Sequence, residues 1–263
     1  MKLMRSYFNG IRKDRYVLLS LLHQDIRSKY RGSFLGAAWS VLTPLGLSII
    51  IGGIYSIIFH VEAKTFIPLL FSGLNPWNYL SACANNGTFS YFAAEGYLKQ
   101  TQVTPQIFPL RVAGVAFVDY LYGMLAFFIV YFFLAPGNIS PVMLMVIPGS
   151  VLLFLGGVAL ANLSAGITLY VRDFRPLQGL LLQGFFYITP IVYTTEMLDN
   201  AGFSIIYRLN PFYYFIDVIR SPAMGNALPS PEIYLCTALL ALLLLLLSIC
   251  ITVKVSHGIA LKL

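Results

Sequence analysis

Charge is what this sequence has least of. Asp, Glu, Lys and Arg make up 10% of the 263 residues, where a soluble domain carries about 25%. Hydrophobic residues reach 58%, and the mean hydropathy is +0.78. A soluble core of this size could not hide so much apolar surface, so the solvent for most of the chain is lipid. At 29.2 kDa the chain reads as one membrane domain with no room for a second, soluble one. Cysteine is scarce too: Cys83, Cys236 and Cys250 lie in apolar stretches, match no zinc or redox spacing, and read as small apolar packers. His23, His60 and His257 are far apart in sequence. No G-x-x-x-x-G-K-[ST] loop, H-E-x-x-H or G-x-S-x-G motif occurs. The chain is therefore read as a non-enzyme with no catalytic residue, no metal site and no cofactor of its own, and no nucleic acid partner is expected.

What is present is apolar length. A helix needs about 20 apolar residues to cross the hydrocarbon, and about six stretches qualify: 34–59, 66–92, 112–134, 142–171, 177–193 and 233–253. Residues 1–33 read as a cytoplasmic N-terminus; its opening stretch, "MKLMRSYFNGIRKDRY", is basic but lacks a leader-like apolar core and cleavage site, and does not read as a signal peptide. With both termini in the cytoplasm, fourteen of the 17 Lys and Arg residues fall on the inner side; only Lys64, Arg208 and Arg220 fall outside. That asymmetry sets the orientation and favours an even number of crossings. The fold class is thus all-α and integral to the membrane.

Two regions are not simple crossings. In residues 14–30, Leu18, Leu22 and Ile26 recur at i, i+4 with Leu21 beside them, while Arg15, His23, Arg27 and Lys29 lie off that stripe and Asp25–Lys29 is spaced as an i, i+4 pair. This reads as an N-terminal amphipathic helix, either on the inner membrane surface or packed on protein. Residues 194–232 are too polar to cross and too apolar for a free loop. Short helices re-entering from the outer side reconcile the two, since irregular backbone at that depth must be buried in protein or line a wet cavity.

Polar groups inside the spans mark where helices meet or where a path runs. Asn75, Asn78, Asn85, Asn86 and Thr88 in the second crossing serve as interhelical glue or line a hydrophilic pathway. Asp119 is the sharpest intramembrane charge. Arg111, two turns before it, makes a structural pair one reading and a proton relay the other. Gly157, Ala161 and Ala165 at four-residue spacing let a neighbouring helix approach closely. Aromatic faces with hydroxyl tips suit sugars, which offer C–H faces and hydroxyl edges. Beyond interfacial belts, the candidate channel-lining residues are Trp39, Tyr55, Trp77, Tyr79, Asn85, Tyr187, Tyr193, Tyr213 and Tyr214.

Three segments together resemble the ABC-2 type permeases of polysaccharide exporters, most closely the O-antigen branch, with capsule and teichoic acid exporters as relatives. "RSKYRGSFLGAAWSVLTPL" is similar to that family's first segment: Arg27, Tyr30 and Arg31 on the basic helix, then Ser33, Leu35 and Gly36 in a small-residue turn, then Trp39 and Pro44 in the first crossing. "YVRDFRPL" (170–177) looks like its cytoplasmic turn, and "LNPFYYFIDVIR" (209–220) like its outer re-entrant segment.

The resemblance implies that two copies of the chain form a central channel and that two copies of a separate ATP-binding cassette subunit, carrying ATP and Mg, dock beneath it. The cargo would be a polyprenyl-diphosphate-linked polysaccharide, and the location the bacterial inner membrane. Arg27, Lys29, Tyr30 and Arg31 are then candidates for the lipid head group or the interface, attracting a diphosphate or ordinary anionic lipid. Glu95, Lys99 and Gln100, with Arg172, Asp173 and Arg175, become candidates for coupling to the ATPase, Glu95–Lys99 being a helix-supporting i, i+4 pair. Two other classes stay open. One is a proton-coupled secondary transporter using Asp119. The other is a polyprenyl-lipid transferase, for which Asp25 and Asp173 form no convincing dyad.

Overall fold

The computed structural model describes every residue except Met1, Ala37, Phe59, Asn226, Ala227, Pro229, His257, Gly258 and Leu263, and the backbone alone at Lys2, Leu3, Tyr30, Ser256, Ala260 and Leu261. Among the described residues there is no strand. The helices are α1 (Lys2–Lys13), α2 (Arg15–Tyr30), α3 (Ala38–Ile58), α4 (Ala63–Gly87), α5 (Ser90–Ala93), α6 (Glu95–Gln100), α7 (Ile107–Leu134), α8 (Val146–Tyr170), α9 (Phe174–Ile188), α10 (Thr195–Asn200), α11 (Ser204–Arg208), α12 (Pro211–Ala223), α13 (Pro231–Ser256) and α14 (Ile259–Lys262). Two 3-10 turns, Pro136–Asn138 and Pro141–Met145, link α7 to α8.

Among the described residues, four helical segments are long and apolar enough to cross a membrane: Ala38–Ile58, Ile107–Leu134, Pro141–Tyr170 and Pro231–Val255. Two expected crossings fall short of that standard for different reasons. α4 has 25 residues but carries Asn75, Asn78, Asn85, Asn86 and two prolines. α9 has only 15 residues, about 22 Å at 1.5 Å per residue against roughly 30 Å of hydrocarbon. It stops at Ile188 rather than running to 193, because the next residue, Thr189, precedes Pro190 and is extended (φ −81°, ψ 132°).

α8 is the hub, packed against α4, α7, α12 and α13. The shared core holds Phe71, Tyr79, Tyr120, Phe127, Leu153, Phe215 and Ile219. The small-residue spacing expected on α8 does bring a neighbour close. A Cβ on Gly157 would sit 2.2 Å from the Tyr79 hydroxyl, so the α4–α8 approach depends on its absence. Before α3 the chain turns through Gly32 (φ +80°) and Gly36 (φ +49°), a region glycine enters without steric cost. The Gly36 N–H donates to Ser33 Oγ at 3.2 Å. Residues 194–232 contain α10, α11 and α12; Asn210 caps α12 by accepting from the Phe212 N–H at 3.0 Å, ahead of Pro211 at the first helical position.

The amphipathic stripe of α2 packs on protein. Leu18 and Leu21 are buried with Tyr91, Leu98, Ile107 and Phe108, and Leu22 sits against Gly114 of α7, where an added Cβ would be 2.8 Å away. The opposite face of α2, with Tyr16 and Leu19, is exposed. α3 and α9 bury few residues for their length: Ser48, Gly52 and Ser56 on α3, Gln178 and Leu182 on α9.

Candidate functional site

The basic cluster of the first segment divides into two groups. Arg27 and Arg31 are four residues apart and line one groove with Leu19, His23 and Gln24. Lys29 is two residues from each, about 200° around the helix, and points the other way. Its Nζ donates to Asp119 Oδ2 at 2.6 Å, and Ser40 Oγ donates to the other carboxylate oxygen at 3.0 Å. One turn earlier on α2, the Asp25 carboxylate takes a two-pronged bond from the Arg111 guanidinium. The local pairs suggested by spacing, Asp25 with Lys29 and Arg111 with Asp119, are thus exchanged for two pairs that cross between α2 and α7. The reason is geometric: with the α2 stripe pressed on α7, the charges flanking it meet across the interface. The Tyr30 side chain lies outside the described residues.

Lys29 and Asp119 line a cavity of about 480 Å³ between α3, α4 and α7, together with Trp39, Ser40, Thr43, Asn78, Tyr79 and Tyr120 among others. Asn75 also lines it and donates to the Tyr120 carbonyl at 3.0 Å.

Other channel-lining candidates are scattered. Trp39 and Tyr187 are exposed, and Tyr55 is partly buried on α3. Trp77 is buried between Phe186 and Phe212, with ring centroids 5.6 and 5.3 Å away. Tyr79 is buried, and its hydroxyl donates to the Phe154 carbonyl at 3.1 Å; it borders the cavity only at its edge. Asn85 lines a different, smaller cavity of about 310 Å³ with Asp25, Asn86, Arg111 and Arg175. Tyr187 and Tyr193 are joined by a 2.7 Å bond from the Tyr193 hydroxyl to the Tyr187 carbonyl. Tyr213 stacks edge-on with Tyr207 at 4.9 Å and neighbours Tyr214 at 5.3 Å.

The coupling candidates do converge. Lys99 Nζ donates to Glu95 Oε1 at 2.6 Å within α6, and Gln100 is exposed at its end. Immediately before α6, Arg172 lies over the Phe92 ring (6.0 Å) and Arg175 over the Phe89 ring (5.2 Å), so the α8–α9 turn rests on the segment that carries α6. Asp173 is at the N-cap position of α9.

Sequence reasoning missed three anchors. The sequence pattern does not mark α1 as a helix. Asp14, at its junction with α2, accepts from both the backbone N–H and the hydroxyl of Thr104 at 2.7 Å, which ties the chain after α6 to the N-terminus. Tyr7 is buried on Ile249 and Val253, and its hydroxyl accepts from Asn162 at 3.2 Å. Asn162 in turn accepts from Thr252 at 3.2 Å. The Tyr7–Ile11 spacing was the available signal. Third, Arg220 of α12 donates to the carbonyls of Pro190 and Ile191, at 2.5 and 3.0 Å, while Asn210 donates to Thr189 Oγ1 at 2.7 Å. Both side chains grip the break that ends α9. Among the described residues, no group of three His, Cys, Asp or Glu is placed to hold a metal ion.

Comparison with known proteins places this architecture. A family model described as ABC-2 type transporter matches residues 16–224. Two proteins of Klebsiella pneumoniae named O-antigen export system permease protein RfbA are 27% identical over 219 residues and 26% identical over 220, each match covering 81% of this chain and 82% of the relative. A protein of the same name from Myxococcus xanthus is 24% identical over 233 residues, 88% of this chain and 89% of its own.

Proposed function

Because the chain belongs to the ABC-2 type transporter family, we propose that it is the membrane subunit of an ATP-driven exporter that carries a lipid-linked polysaccharide of O-antigen type across the bacterial inner membrane. The observation that carries this reading is the pairing of a family match over most of the chain with a contact in which Arg172 and Arg175 of the α8–α9 turn lie over Phe92 and Phe89, in the segment that leads into α6. That is the arrangement a permease needs if force reaches it from a separate subunit. The names of the three relatives support the cargo class.

In this reading α4 and α9 complete six crossings in company with partner helices, and α10–α12 form the outer re-entrant segment. Polar residues on α4 are then tolerable because they meet protein or water, not lipid. Two copies of the chain pair so that the sparsely covered faces of α3 and α9 border the conduit, with both termini in the cytoplasm. Two ATP-binding cassette subunits, with their ATP and Mg, dock against α6 and the α8–α9 turn. Arg27 and Arg31 attract the diphosphate of the lipid carrier at the inner leaflet.

Exposed aromatics such as Tyr187 offer stacking without tight multiple hydrogen bonds, which suits a polymer that must slide. The proton-coupled alternative rests on Asp119, and the bonds of that carboxylate to Lys29 and Ser40 support a structural part for it.

Reconstitution tests the proposal. Proteoliposomes holding this chain and its ATP-binding partner should move lipid-linked polymer only while ATP is hydrolysed. Flux by this chain alone, driven by a proton gradient, would refute it.

A further inference from the structure

We infer that the cavity between α3, α4 and α7 is a saccharide-binding subsite, with Trp39 as its stacking face and Asp119, Ser40, Thr43 and Asn78 as its hydrogen-bonding edge. The inference rests on the export reading above and gives the cargo's sugar a place on this chain. At about 480 Å³ the cavity lies within the range of small-molecule sites. Its chemistry selects a neutral, hydroxyl-rich ring. Lys29 and Asp119 in its lining are already bonded to each other, so an anion must compete with Asp119 and a cation with Lys29. A hydroxyl need do neither, and it can approach the part of the Asp119 side chain that stays exposed, 32% of its surface.

The wall carries the other half of sugar recognition. Trp39 is 51% exposed and lines the cavity, presenting an apolar ring beside polar groups. Asn78 is exposed although every other residue from Leu70 to Leu80 is buried, and it faces this space. An amide kept open among buried neighbours is costly unless water or a ligand satisfies it. Thr43 and Ser40 add hydroxyls from α3 on the opposite side.

The chain's two tryptophans make the test direct. Trp77 is buried between phenylalanines, so Trp77→Phe leaves Trp39 as the sole indole reporter. Purified protein is titrated with neutral hexoses, 6-deoxyhexoses and N-acetylhexosamines while Trp39 emission is followed. A saturable change for at least one class is expected, weakened roughly tenfold by Asn78→Leu or Thr43→Val, as loss of one or two hydrogen bonds implies. If Trp77→Phe does not fold, the same change is sought in the native chain and must vanish in Trp39→Phe. No saturable change with any sugar at its solubility limit overturns the subsite, as does an equal response to detergent or lipid without sugar. Export with the ATP-binding partner is measured in parallel. Export without sugar binding sinks the subsite and spares the exporter reading, whereas sugar binding without export does the reverse.

Discussion

Lys29 and Asp119, ninety positions apart, meet at 2.6 Å and fasten the N-terminal amphipathic helix to α7. Asp25 and Arg111 do the same one turn earlier with the signs reversed. Because the charges alternate, sliding α2 by a turn would set Lys29 against Arg111, so the two pairs fix register as well as contact. Both members of the Lys29 pair are part-exposed, so the bond is worth only about 0.2–1 kcal/mol. Lys29→Asp or Asp119→Lys alone should lower the melting temperature slightly and depress export strongly, by misplacing the chain that enters α3. The double swap should restore the melting temperature and recover part of the lost export, short of the native level because position 119 then offers the cavity an ammonium in place of a carboxylate. A proton relay at position 119 would not survive that swap, so a double mutant as inactive as Asp119→Lys would favour the relay.

Gly73 gives the second prediction. A Cβ there would fall 1.9 Å from the Arg220 guanidinium, which cannot move without giving up the Pro190 and Ile191 carbonyls. Gly73→Ala should therefore cost about 1–3 kcal/mol, the range of overpacked sites, and release the C-terminal end of α9. The check is a thermal melt in detergent, together with protease accessibility of residues 189–194. An unchanged melt and digest would mean that α4 yields instead.

The sequence and structure agree where information is local, and part where it is not. Long apolar runs placed α3, α7, α8 and α13, and the Glu95–Lys99 spacing foretold α6. Pro190 could have ended the fifth crossing, since the residue before a proline leaves the helix, but counting apolar residues carried it to 193. Likewise 27, 29 and 31 on a helix cannot share a face; that division was legible once residues 14–30 were read as helical. What no periodicity reveals is partner choice over ninety residues. Local spacing offered Asp25–Lys29 and Arg111–Asp119, and only the packing of Leu22 into the notch at Gly114 selects the crossed pairs. Trp77 and Tyr79 show the same limit: an aromatic residue within a span reads alike whether it faces a conduit or Phe186, Phe212 and Phe117.

Alkaline pH should loosen α1. Burial pushes the Tyr7 hydroxyl from 10.0 up to about 12, against a small opposing effect of the Asn162 bond. The folded chain thus keeps a proton that the unfolded chain releases near 10. The stability tied to this residue is complete below pH 10 and is lost as pH rises toward 12, by up to about 2–3 kcal/mol. Tyr7→Phe removes that dependence. Melting curves of the native chain and Tyr7→Phe should converge or cross between pH 10 and 12, and parallel curves would exclude the linkage.

Gln100 offers a distance test of coupling. With the exposed Cys250 replaced by serine, Gln100→Cys should form a crosslink to the ATP-binding subunit whose yield changes when ATP is bound. Arg175→Ala removes a cation–ring contact worth about 0.5–1 kcal/mol at an exposed site, so it should leave the fold intact. Its expected effect is continued ATP hydrolysis with export reduced several-fold. Equal losses of hydrolysis and export would mean that Arg175 acts on docking rather than on transmission.

The division of the basic cluster yields the last prediction. If the three charges acted as one patch, neutralising any of them would weaken lipid attraction about equally. The structure separates them: Lys29 is engaged with Asp119, while Arg27 and Arg31 line a common groove on the face of α2 away from α7. Each basic residue near an anionic surface contributes about 1 kcal/mol, so Arg27→Ala/Arg31→Ala should weaken binding to vesicles containing polyprenyl diphosphate roughly 30-fold and leave the melting temperature nearly unchanged. Lys29→Ala should do the opposite, lowering the melt slightly while leaving vesicle affinity close to native. The two readouts together separate a recognition role from a fastening role. A loss of affinity in Lys29→Ala equal to that of the double variant would show that Asp119 gives up its partner when the lipid arrives.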